Sequence, residues 1–61
     1  MPNLKEIRTD KGFTQSSIAS VLNISQQKYS KIEKDPRKTS VSLALRIAEI
    51  LEIEDLNIFL N

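Results

Sequence analysis

The stretch Gln15-Ser16-Ser17-Ile18-Ala19-Ser20-Val21-Leu22-Asn23-Ile24-Ser25-Gln26-Gln27-Lys28-Tyr29-Ser30-Lys31-Ile32-Glu33-Lys34 decides how the rest of this chain is read. Thr14 is a cap candidate, and Ile18, Ala19, Val21 and Leu22 follow at helical spacing. Asn23, the non-glycine type that best tolerates positive φ, then interrupts the pattern. This predicts a helix over 15–22. Ser25 caps a second one over 25–34, in which Tyr29 and Ile32 share a face while Gln26, Gln27, Lys28, Ser30 and Lys31 occupy the remainder. Two helices crossing at ~90–120° through so short a turn need a small residue where they touch, which Ala19 supplies, and a turn residue at ease with positive φ, which Asn23 supplies. Ile18, Leu22, Ile24, Tyr29 and Ile32 then point inward together. Together these features spell a helix-turn-helix.

The flanks are helical too. Asn3 and Glu6, three residues apart, form a capping-box-like pair, and Leu4, Ile7 and Lys11 continue the pattern until Gly12 ends the helix in a left-handed conformation, giving a helix over about 3–11. Asp35-Pro36 stops the helix over 25–34, because the residue before proline is pushed out of the α region, and 36–39 reads as a loop. Ser40 or Thr39 caps a helix over 40–51. It is apolar at Val41, Leu43, Ala44, Leu45, Ile47, Ala48, Ile50 and Leu51, with one polar stripe at Ser42, Arg46 and Glu49, so it is expected to be nearly surrounded by protein. Glu54 and Asp55 suit the first turn of a short fifth helix over 54–60. With a single glycine, two prolines and no sustained alternation of apolar and polar residues, the expectation is all-α: a compact five-helix bundle, one domain over 1–61.

Sixty-one residues allow one core and no more. The chain has no cysteine and no histidine, which removes disulfides, the common zinc sites and cysteine- or histidine-based catalysis. Ser16, Ser17 and Ser20 have no base beside them, so nucleophilic catalysis is not credible. No enzyme, no metal, no cofactor and no small-molecule substrate are expected. The longest mainly apolar stretch falls far short of the ~20 residues of a membrane helix, and the N-terminus lacks the apolar core of a signal peptide. A soluble, cytoplasmic protein with no membrane partner is the expectation.

Net charge is only +1, but its distribution is lopsided. All nine basic residues lie within 1–46, beside four acids, whereas 47–61 carries Glu49, Glu52, Glu54 and Asp55 and no base. Within 28–38, Lys28, Lys31, Lys34, Arg37 and Lys38 face only Glu33 and Asp35. Such a cluster attracts a polyanion over about one Debye length, although a merely solvated basic face has the same composition.

The chain resembles the Cro/phage-repressor type of helix-turn-helix domain over nearly its whole length. The matching pieces are Leu4-Lys5-Glu6-Ile7-Arg8, Thr14-Gln15, Ile18-Ala19, Ile24-Ser25, Ser30-Lys31-Ile32-Glu33, and Ile47-Ala48 with Leu51. Three positions depart from the pattern: Asn23 stands at a turn usually made by glycine, Lys34-Asp35-Pro36 replaces the glycine that commonly follows the glutamate, and Thr39 stands where the family has proline.

The resemblance implies that the third helix enters the major groove of double-stranded DNA with its N-terminal residues at the base edges. Gln26 and Gln27 stand there, and a glutamine amide can bridge N6 and N7 of adenine. Lys28 is able to donate to guanine or only to a phosphate, and Lys31, one turn beyond Gln27, is a further base-edge candidate. Gln15, Ser25, Ser30, Arg37 and Lys38 are the expected phosphate partners, with Lys5 and Lys11 as further candidates; Gln15 opens a helix whose free N–H groups favour an anion. Arg8 and Glu33 correspond to the family's ion pair between the first and third helices. Tyr29 is expected in the core with its hydroxyl reaching the surface.

The implied function is sequence-specific binding of double-stranded DNA by a transcriptional repressor or regulator, acting as a homodimer on a pseudo-palindromic operator. Ile53, Leu56, Phe59 and Leu60 are either the dimer interface or a cap on the monomer core. The alternative is a protein-interaction module, antitoxin-like or adaptor, on the same fold. That reading needs aromatic or aliphatic anchors on the outer face of the third helix, and the sequence places none there.

Overall fold

The computed structural model describes residues 3–60. Among them are four α-helices, α1 (Leu4–Asp10), α2 (Gln15–Leu22), α3 (Gln26–Lys34) and α4 (Val41–Leu51), two 3-10 turns (Pro36–Lys38 and Leu56–Phe59), and no strand. All four helices start on a side-chain cap: Asn3, Thr14, Ser25 and Ser40 accept from the N–H of Glu6, Ser17, Lys28 and Leu43 respectively. Each cap answers one of the orphan donors that open a helix. Asn3–Glu6 and Thr14–Ser17 are reciprocal capping boxes.

Three helices also stop in the same way. Gly12 (φ 84°), Asn23 (φ 60°) and Glu52 (φ 56°) are left-handed, and each is followed by an apolar residue, Phe13, Ile24 or Ile53. The N–H of that residue donates to the carbonyl five positions earlier, on Arg8, Ala19 and Ala48, at 3.1, 3.0 and 2.8 Å. The motif satisfies the last carbonyls and turns an apolar side chain back onto the helix end. Helix α3 lacks it and ends where Pro36 forces Asp35 to φ −148°.

Leu4, Ile18, Ala19, Leu22, Tyr29, Ile32, Ala44, Ile47, Ala48, Leu51 and Phe59 form the core. Ala19 is buried and Ile24 packs against the core from outside, so α2 and α3 meet on the face that the spacing of their apolar residues requires. Arg46 ties α4 to α2: its guanidinium donates to the carbonyls of Leu22 (3.3 Å) and Val21 (3.5 Å), a cation set against the negative end of the α2 dipole.

Two expectations are corrected. The segment over 54–60 is not a fifth α-helix but a single 3-10 turn, because Glu52 bends the chain out of α4 and Asp55, instead of sitting in a first helical turn, accepts from the N–H of Asn57. Nor is α4 nearly surrounded: Ala44, Ile47, Ala48 and Leu51 are buried and Leu43 and Ile50 pack against the core, but Val41 and Leu45 are 74% and 51% exposed.

Candidate nucleic-acid interface

Helix α3 is fastened from below and open above. Tyr29 and Ile32 bury its inner face, while Gln26, Gln27, Lys28 and Lys31 are all exposed on the other side. The Ser25 hydroxyl oxygen accepts from the N–H of Lys28 at 3.1 Å, which leaves its own proton free to donate. Lys28, Lys31 and Lys38 line one groove between α3 and the start of α4, together with Ile32, Asp35, Thr39, Ser40 and Leu43. Three of the five bases of residues 28–38 thus share one groove, with Asp35, beside the helix that carries the exposed glutamines.

Arg37 lies elsewhere. Its Nε donates to Asp35 Oδ1 at 3.3 Å, and it borders a second, mainly apolar groove with Val41, Ala44, Leu45, Leu56, Phe59 and Leu60. Arg37 and Lys38 thus border different grooves, although both pair with Asp35, Lys38 at 3.9 Å. Phe59 belongs to the monomer core, Ile53 and Leu56 pack against it, and Leu60 is 59% exposed. Of the residues expected at a dimer interface, Phe59 thus acts as the core cap.

Below α3, one carboxylate gathers three helices. Glu33 Oε1 accepts from Arg8 Nε of α1 and from the Tyr29 hydroxyl (3.2 Å), and Oε2 accepts from Gln15 Nε2 of α2 at 2.7 Å. Arg8 also donates to the Phe13 carbonyl at 2.7 Å, fixing the α1–α2 turn. The side chains of Arg8 and Glu33 are only 7% and 6% exposed. Burial pushes the Glu33 carboxyl up, but the hydrogen bonds from Arg8 and Gln15, the Arg8 charge and the Tyr29 hydroxyl outweigh it and hold the group below the usual carboxylate range. Burial and the neighbouring Glu33 charge push the Tyr29 phenol up. The expectation that its hydroxyl reaches the surface is corrected: Tyr29 is fully buried and the hydroxyl donates to Glu33.

Gln15, Ser30 and Glu33 border a cleft of about 300 Å³ with Asn3, Lys5 and Lys34. Lys34 and Arg46 carry parts that the sequence reading left out. The signal for Arg46 is a lone cation in the polar stripe of α4; for Lys34, nothing but its place in the basic run. Among the described residues no cluster of side chains could hold a metal ion, and no helix is long and apolar enough to cross a membrane.

A family model described as helix-turn-helix matches residues 4–56. The chain belongs to the Cro/phage-repressor type of helix-turn-helix family. This helix-turn-helix domain is also similar to the HTH-type transcriptional regulator RamB of Mycobacterium tuberculosis, in each of two strains, with 33% identity over 51 residues. That alignment covers 84% of the present chain and 11% of the relative, so the chain spans about a ninth of the length of the curated relatives it matches. No solved structure matches it significantly. Members of the family bind DNA through the second helix of the motif, which in this domain is α3.

Proposed function

We propose that this domain binds a specific double-stranded DNA sequence and regulates transcription, most simply as a repressor that occupies an operator and excludes polymerase. The observation that carries the reading is the outer face of α3, where Gln26, Gln27, Lys28 and Lys31 stand exposed over a buried Tyr29–Ile32 face. Gln26 and Gln27 read adenine edges, Lys28 and Lys31 meet guanine or phosphate, and Gln15, Ser25, Ser30 and Lys38 hold the backbone on either side. Arg37 is the weakest of the assigned phosphate partners because Asp35 engages it at 3.3 Å, closer than the 3.9 Å at which the same carboxylate holds Lys38.

One module of this size buries modest area on DNA, so useful specificity calls for two copies on half-sites ~34 Å apart. The exposed Val41, Leu45 and Leu60, with half-buried Leu56, offer the apolar surface for the second copy. An adaptor role through α3 has no apolar anchor to work with on that face.

Selection of bound duplexes from a random-sequence pool tests the proposal, with Gln26→Ala/Gln27→Ala alongside. The expected result is a two-fold motif that is lost or altered in the double variant, each lost bidentate pair being worth ~1–3 kcal/mol of discrimination. If no motif emerges and binding disappears as salt rises, contact with DNA is only electrostatic and the reading fails.

A further inference from the structure

The amide of Gln15 cannot turn freely. A carboxylate only accepts hydrogen bonds, so Glu33 Oε2, 2.7 Å away, requires the NH₂ group of Gln15 on its side and excludes the carbonyl oxygen from it. A phosphate oxygen is likewise only an acceptor. The second Nε2 hydrogen is therefore the side-chain group with which Gln15 can serve a phosphate while still bonded to Glu33. It borders the cleft that Lys5, Ser30 and Lys34 also line. The Glu33 charge does not oppose an anion there, because Arg8 neutralises it from within and the exposed Lys5 and Lys34 flank the cleft.

We infer that Glu33 is a positioning residue for DNA binding: through Gln15 it fixes which amide group faces the cleft, so that Gln15, Ser30, Lys5 and Lys34 together hold one backbone phosphate. This rests on the DNA-binding reading and adds to it a residue whose carboxylate, its side chain 6% exposed, acts through Gln15. Replacing Glu33 by glutamine presents a donor to Gln15, invites its amide to flip, and turns a carbonyl oxygen toward the phosphate.

A mutant cycle on a short mixed-sequence duplex at about 50 mM salt, read by fluorescence anisotropy, tests the inference. Gln15→Met and Glu33→Gln are each expected to weaken binding about tenfold, and the double variant no more than either alone. Tyr29→Phe, which removes another hydrogen bond to Glu33 but leaves Gln15 held, is expected to lower the melting temperature and leave affinity unchanged. Lys5→Ala and Lys34→Ala are each expected to reduce the salt slope by about one. The inference is overturned if Glu33→Gln binds like the native chain, if the two losses multiply, or if neither lysine changes the slope. If the native chain binds no duplex at all, the DNA-binding reading itself has failed. Should Glu33→Gln not fold by circular dichroism, Glu33→Asp takes its place in the cycle, keeping the charge for Arg8 but standing one methylene short of Gln15.

Discussion

Helices α3 and α4 each bury one face and expose another, and the two exposed faces have opposite chemistry. Outside α3 are Gln26, Gln27, Lys28 and Lys31; outside the first turns of α4 are Val41 and Leu45. The amphipathicity of α3 is complete within one chain, because its apolar residues are covered and everything left over is hydrogen-bonding or charged. That of α4 is not. Water-facing aliphatic side chains cost the monomer something that a covering surface would recover. On the proposed function the two faces suit different kinds of occupant, a polar and charged one for α3 and an apolar one for α4.

The contrast can be broken most forcefully from beneath α3. Glu33→Ala leaves Arg8 buried without its partner, a loss of about 3–5 kcal/mol, against a total stability on the order of 3–9 kcal/mol for a chain of 61 residues. The expected outcome in thermal and urea melts is a largely unfolded or barely folded domain. The same carboxylate sets the response to acid. Its folded pKa is depressed, so its contribution is complete above the ordinary glutamate pKa of about 4.3 and is lost as pH falls through the lowered value. A urea midpoint that stays flat through that range would mean that the Arg8–Glu33 pair does not hold α1 to α3.

Leu45→Lys addresses the α4 face, with a smaller effect on the fold. Because Leu45 is half exposed, monomer stability is expected to change by no more than about 0.5 kcal/mol, while sedimentation equilibrium should report fewer dimers. A large drop in melting temperature would show instead that this face already packs within the monomer. The smallest effect is at Glu52, which holds φ 56° although it is not glycine. Glu52→Gly removes the side-chain clash of that conformation and gives up only the exposed Lys11–Glu52 pair, so a slight rise in melting temperature is expected by calorimetry.

Much of this was legible in the sequence because the signals are local. Asn3, Thr14, Ser25 and Ser40 announce helix starts, Gly12 and Asn23 announce left-handed stops, and Pro36 ends α3. Glu52 announces nothing, being a residue type with no preference for positive φ that takes it where Ile53 turns back onto the core; the apolar spacing still places the end of α4 at Leu51, where the structure has it, whereas Glu54 and Asp55 suggest a fifth α-helix that is only a 3-10 turn. The exposure of Val41 and Leu45 was hidden because eight apolar residues in one helix do not say how many faces the rest of the chain can cover. At the candidate interface, the outward place of Gln26 and Gln27 follows from the positions of Tyr29 and Ile32. The bond from Gln15 to Glu33 spans eighteen positions and no spacing rule reaches that far.

The caps and left-handed stops bear also on kinetics. Because each helix is delimited by residues no more than five positions from the groups they bond, little loop-closure entropy is lost before native contacts begin to reward the chain. Small helical proteins of this kind fold on the order of microseconds to milliseconds. A domain held together by short-range instructions regains its shape quickly after each opening, and the surface it presents is renewed on that timescale.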